Sequence, residues 1–83
     1  MAPPPKVTIT YCAECGYEDQ TLALARSLML EFGGSISGIE LIPWEGGTFD
    51  VSVGGVLVHS MKRDGGFADH GRVKAAVRAT LEV

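Results

Sequence analysis

Between Lys6 and Tyr11 the apolar residues Val7, Ile9 and Tyr11 alternate with Thr8 and Thr10. A period of two in Cβ-branched and aromatic residues predicts a β-strand with one buried face. From about Tyr17 the period lengthens. Leu22, Ala25, Leu28, Met29 and Phe32 fall within one arc of a 3.6-residue helix, with Gln20, Ser27 and Glu31 on the other side. Gly33 and Gly34 follow the last periodic residue, where glycine ends a helix in the left-handed conformation. Ile39 to Trp44, a short apolar run carrying Pro43, is too brief for a helix and predicts a second strand. Phe49, Val51 and Val53 alternate with Thr48, Asp50 and Ser52, and Gly54-Gly55 then leads into Val56–Ser60, the signature of a two-residue hairpin. That register sets Val53 opposite Val56, Val51 opposite Val58 and Asp50 opposite His59. Met61 to Ala68, polar and glycine-rich, predicts a surface loop. A second helix is expected from Asp69 or His70, burying Val73, Ala76, Val77, Thr80 and Leu81 and exposing Arg72, Lys74, Arg78 and Glu82.

The element order β-α-β-β-β-α predicts a single α/β domain over residues 1–83, with one sheet covered by two helices and Met1 to Pro5 as a flexible lead-in. A strand-helix-strand unit takes a right-handed parallel crossover, so the first two strands should run parallel. Two topologies then remain. Gly46 and Gly47 could close a plain hairpin between strands two and three, or the segment Pro43–Gly47 could hop over the end of strand one. The hop gives a four-stranded mixed sheet of order 2-1-3-4, carries that segment above the two cysteines, and makes the Trp44 indole a lid over them.

Charge and length narrow the partners. The longest run without a charged residue is the eleven from Val51 to Met61, well below the roughly 20 needed to span a bilayer. The proline-rich start has no apolar h-region, so no secretory signal is expected and the default address is the cytoplasm. A net charge of -3 with both signs interspersed provides no basic face for nucleic acid. Neither a nucleic-acid nor a membrane partner is expected.

The two cysteines, Cys12 and Cys15, close too short a loop to staple a fold. Their place between a strand and a helix suits chemistry instead. Helix N–H groups and the dipole favour thiolate over thiol, and sulfurs three residues apart allow one to attack a disulfide while the other resolves the adduct. Glu14, Glu18 and Asp19 oppose thiolate formation and no Lys or Arg adjoins them in sequence. Only a modest lowering of the thiol pKa is therefore expected, with a midpoint nearer about -270 mV than about -120 mV. The competing use of the motif is half a zinc site. Its only further ligands of that type, His59 and His70, lie outside the spacing common to paired histidines. No resident cofactor or metal is expected.

Several blocks together, Val7–Gly16 with its Tyr-Cys-Ala-Glu-Cys-Gly-Tyr ending, Phe49–Val53, Leu57-Val58-His59-Ser60, Lys62-Arg63 and Gly66-Phe67, resemble the selenoprotein W or Rdx family. The resemblance implies a thioredoxin-like fold, the 2-1-3-4 order, and an oxidoreductase acting with glutathione or protein thiols. It also implies that Cys15 occupies the place of the family's selenocysteine, with sulfur the slower nucleophile, as in the cysteine-containing members. Thioredoxin logic names Cys12 as the attacking residue and the family pattern names Cys15. The chain lacks the separate helix and the obvious cis-proline strand start of thioredoxin itself; Pro43 is the nearest candidate and lies too early.

Further residues have two readings. Trp44, Tyr17 and Phe67 are candidate substrate or partner contacts, against plain packing. His59 facing Asp50 is either a proton shuttle or a surface cross-strand pair. The 61–68 loop could dock a protein, which leaves a binding module as an alternative function, beside a zinc-bound structural domain.

Overall fold

A computed structural model describes residues 3–82. Its elements are β1 (Lys6–Cys12), α1 (Glu18–Phe32), a 3-10 turn (Gly33–Ser35), β2 (Gly38–Trp44), β3 (Phe49–Val53), β4 (Val56–Ser60), α2 (Met61–Asp64) and α3 (His70–Leu81). The sheet has the order β2-β1-β3-β4. β2 runs parallel to β1, while β3 is antiparallel to both β1 and β4. The hop between β2 and β3 is therefore present, and β1 is an interior strand.

Alternation decides which face is covered. Val7 and Ile9 of β1 and Phe49, Val51 and Val53 of β3 join Leu24, Ala25, Leu28 and Phe32 of α1 and Val73 and Val77 of α3 in one buried cluster. Both helices thus pack on one side of the sheet. Full burial of each such side chain contributes about 1.5–3 kcal/mol relative to exposure. Thr8, Thr10, Asp50 and Ser52 point the other way and stay partly exposed.

The buried stripe of α1 is rotated from the expected one. Thr21 and Leu24 are inside, whereas Leu22 and Met29 are exposed. Thr21 tolerates burial because its hydroxyl donates to the Tyr17 carbonyl at 2.9 Å. Leu22 and Met29 overhang the edge strand β2 and, with Leu30, Ile39 and Leu41, line a shallow apolar groove. Gly33 has a positive φ of 49° and donates its N–H to the Met29 carbonyl. Asp69 caps α3 by accepting from the Arg72 N–H at 3.1 Å. Leu81, expected inside, is exposed at the last turn of α3. Glu31 pairs with Lys74 at 3.4 Å and with Arg78, tying the end of α1 to α3.

Three other expectations are corrected. The lead-in is shorter than predicted: Pro5 is buried and its carbonyl accepts from the Ser37 N–H at 2.9 Å, while Met1 and Ala2 lie outside the described residues. The β3–β4 hairpin turns at Gly54-Gly55, both at positive φ, and pairs Val53 with Val56 as expected. A bulge then intervenes. Ser52 faces Leu57, Val51 faces His59 and Asp50 faces Ser60, so neither the Val51–Val58 nor the Asp50–His59 pair exists. One extra residue on β4 shifts the pairing and turns His59 onto the helix-covered face. The 61–68 segment is not wholly a loop, because Met61–Asp64 forms the single turn α2. Asp64 holds that turn by accepting from the Ser60 N–H at 3.0 Å and from the Arg63 guanidinium at 2.8 Å. Arg63, followed by the Ser60 N–H, keeps the Asp64 carboxyl well below the usual carboxylate range.

Leu28→Ala should cost about 2–5 kcal/mol in urea unfolding, and Leu30→Ala, at a position 73% exposed, should stay within about 0.5 kcal/mol. The Asp64 carboxyl titrates lower in the folded than in the unfolded chain. Its stabilisation is therefore complete above the unfolded value of about 3.9 and fades as pH falls toward the folded one. Asp64→Asn, which keeps an acceptor for Ser60, should show a shallower drop in melting temperature than wild type between about pH 5 and pH 2. Parallel curves would remove Asp64 from the acid response.

Candidate active site

Cys12 is the last residue of β1 and is completely buried, while Cys15 lies exposed in the turn that follows. The two are joined as a disulfide, with Cα atoms 5.3 Å apart. Local hydrogen bonds shape the turn: the Gly16 N–H donates to the Ala13 carbonyl at 3.2 Å and the Tyr17 N–H to the Cys12 carbonyl at 3.3 Å. Gly16 takes a φ of 78°, a conformation that favours glycine. α1 starts at Glu18, so Cys15 precedes its first turn by three positions.

The β2–β3 connection grips the motif from the other side. Cys12 donates its N–H to the Thr48 carbonyl at 2.7 Å, and Ala13 donates to the Trp44 carbonyl at 3.0 Å. Glu14 reaches the same connection by accepting from the Gly46 N–H at 3.4 Å. Thr48 is buried and its hydroxyl donates to the Glu45 carbonyl at 2.8 Å, which closes the loop on itself. Pro43 and Trp44 belong to β2, where Pro43 pairs with Tyr11 and Trp44 with Cys12. Pro43 is therefore no counterpart of a proline at the start of β3, the position held by Thr48, and the described residues contain no cis peptide. The Trp44 indole is 61% exposed. A cleft of about 430 Å³ opens between the motif and the β2–β3 loop, lined by Ala13, Glu14, Pro43, Trp44 and Glu45.

The remaining candidates gather on the other flank. Tyr17 meets the Phe67 ring edge-on at 4.9 Å between centroids, and Phe67 meets Phe49 at 5.1 Å. Such pairs contribute about 0.5–1.5 kcal/mol beyond area burial. They link the residue two past Cys15 to the 61–68 segment. His59 serves that segment too: its Nε2–H donates to the Gly66 carbonyl at 2.9 Å, and its Nδ1 lies 3.8 Å from the Asp64 carboxylate. Asp64 and Gly66, not Asp50, are its partners. Sequence reasoning missed two participants, the Thr48 carbonyl and Lys62, whose ammonium lies 3.8 Å from where a Cβ on Gly46 would stand. Their place beside the motif leaves no sequence signal, although Lys62 belongs to the Lys62-Arg63 block that carries the family resemblance. Among the described residues no three His, Cys, Asp or Glu side chains converge as a metal site.

A profile of the Rdx family matches residues 6–79. Selenoprotein W of Macaca mulatta is 37% identical over 81 residues, covering 90% of this chain and 92% of its own. The Mus musculus protein of that name is 43% identical over 65 residues, covering 76% and 73%. Migration and invasion enhancer 1 of Bos taurus is 33% identical over 78 residues, covering 81% of this chain and 64% of its own. The crystal structure of a selenoprotein W-related protein from Vibrio cholerae superposes with a TM-score of 0.89 at 28% identity, covering 95% and 99% of the two chains. A Bordetella parapertussis protein superposes at 0.88 and 29% identity, covering 94% and 99%. With the family model spanning most of the chain and relatives above 30% identity covering most of it, the chain belongs to the Rdx family.

Proposed function

We propose that this chain is a thiol-disulfide oxidoreductase that exchanges electrons with glutathione or protein thiols through Cys12 and Cys15. The observation that carries this reading is a disulfide-bonded pair at a strand end with one sulfur buried and the other in contact with solvent. That asymmetry supports Cys15 as the attacking residue and Cys12 as the resolving one. In the reduced chain the Cys15 thiolate attacks a substrate disulfide, forms a mixed disulfide and expels one substrate thiolate. Cys12, once deprotonated, attacks the Cys15 sulfur and expels the second. The substrate disulfide gains two electrons and the dithiol loses them, along with its two protons.

Trp44 on one flank and Tyr17 with Phe67 on the other are the side chains this reading assigns to substrate or partner contact. A dithiol that must be reduced again after each turnover suits a reducing compartment, which supports a cytoplasmic address; no helix among the described residues is long and apolar enough to cross a membrane. A second reading, docking of a protein on the 61–68 segment, draws on the half-exposed Phe67 ring beside a cavity of about 460 Å³ under α3.

Intact mass should fall by about 2 Da on oxidation and recover with dithiothreitol, a cycle that Cys15→Ser abolishes. In the reduced chain iodoacetamide should label Cys15 at least about tenfold faster than Cys12, as peptide masses would report; faster labelling of Cys12 would reverse the assigned roles. Equilibration with glutathione buffers should place the midpoint nearer about -270 mV than about -120 mV, because carboxylates and not cations adjoin the motif in sequence.

A further inference from the structure

The charges around the exposed sulfur are lopsided. Glu14 lies within the motif, Glu18 and Asp19 occupy the first turn of α1, and Glu45 lies on the facing loop, all four exposed. None is in an ion pair among the described residues, whereas Lys6, Arg63, Lys74 and Arg78 are paired with other carboxylates, Glu40, Asp64 and Glu31. Lys62 is the cation that approaches, at Gly46. Segments 13–19 and 43–48 hold these four carboxylates and no Lys or Arg, so even with Lys62 at Gly46 they carry an excess of negative charge. The cleft beside the motif repeats the pattern, with two carboxylates, Glu14 and Glu45, and an open indole, Trp44, on its walls. An indole face and carboxylates both attract a cationic side chain.

Resting on the oxidoreductase reading above, we infer that the preferred substrates are protein cysteines flanked by Lys or Arg, whose cationic side chain enters the cleft between Glu14, Trp44 and Glu45 while its sulfur meets Cys15. Glutathione, with two carboxylates and a net negative charge, approaches against the same field. The exchange itself is unchanged: the Cys15 thiolate attacks the substrate disulfide, Cys12 closes on Cys15, and two substrate thiols leave. The field acts on encounter, so its effect is on rate and is screened by salt, with a Debye length of about 10 Å at 0.1 M.

The test uses the reduced full chain and two symmetric peptide disulfides that differ only in flanking residues, Lys-Cys-Lys or Glu-Cys-Glu. Oxidation is followed by quenched alkylation and intact mass, and each rate is divided by the rate at which the same peptide oxidises uncharged dithiothreitol. That division removes the peptides' intrinsic reactivity. The expected normalised preference for the lysine peptide is about tenfold or more at low salt. It should shrink about threefold or more in the Glu14→Gln/Glu45→Gln variant and also, in the wild type, at 0.5 M sodium chloride. A normalised ratio near one, a preference for the glutamate peptide, or a preference that neither the variant nor salt reduces would overturn the inference while leaving the redox reading intact. If neither peptide oxidises the chain while both oxidise dithiothreitol, the oxidoreductase reading fails and takes the inference with it.

Discussion

The backbone beyond the end of β1 must satisfy its N–H groups where the strand no longer has ladder partners on both sides. Two carbonyls do this, Trp44 from the parallel neighbour and Thr48 from the antiparallel one, and they accept from Ala13 and Cys12. An unpaired buried N–H costs about 1–3 kcal/mol, so the β2–β3 connection is held against the cysteine motif chiefly by a requirement of the backbone, with the Glu14 carboxylate at Gly46 as the one side-chain tie described. Cys12 is consequently buried, and the turn that follows carries Cys15 to the surface.

The same connection explains why the motif's surroundings are made by residues distant in sequence. Glu14 leans onto Gly46, Lys62 hovers over that glycine, and Trp44 stands abreast of Cys12. On the opposite flank, Tyr17, Phe67 and Phe49 form an edge-to-face chain from the helix start to the 65–68 segment. That segment is itself fixed by His59 and Asp64. The site is a seam between three connections, backed by rigid strands.

Periodicity made most elements readable, because one sheet face is buried and alternation in β1 and β3 is strict. It failed where a polar residue went inside or an extra residue entered a ladder. Thr21 is polar and outside the predicted apolar stripe, yet its hydroxyl finds the Tyr17 carbonyl and the α1 stripe rotates toward it. The bulge opposite Val51 and Ser52 carries no glycine or proline to mark it, and it moved His59 to the other face. α2 depends on Asp64 reaching back four residues to Ser60, a local bond that composition hides behind two glycines. The cysteines were legible as chemistry from spacing and position, whereas the strand order came from the family resemblance and not from any pattern in the chain. Pro5 shows the converse error, a proline read as disorder that the fold uses to cap the sheet's far end.

The chain has one tryptophan, and it sits in register with Cys12 across a single strand spacing. Disulfides quench an indole at close range more than free thiols do, so opening the Cys12–Cys15 bond should change the emission of this one fluorophore.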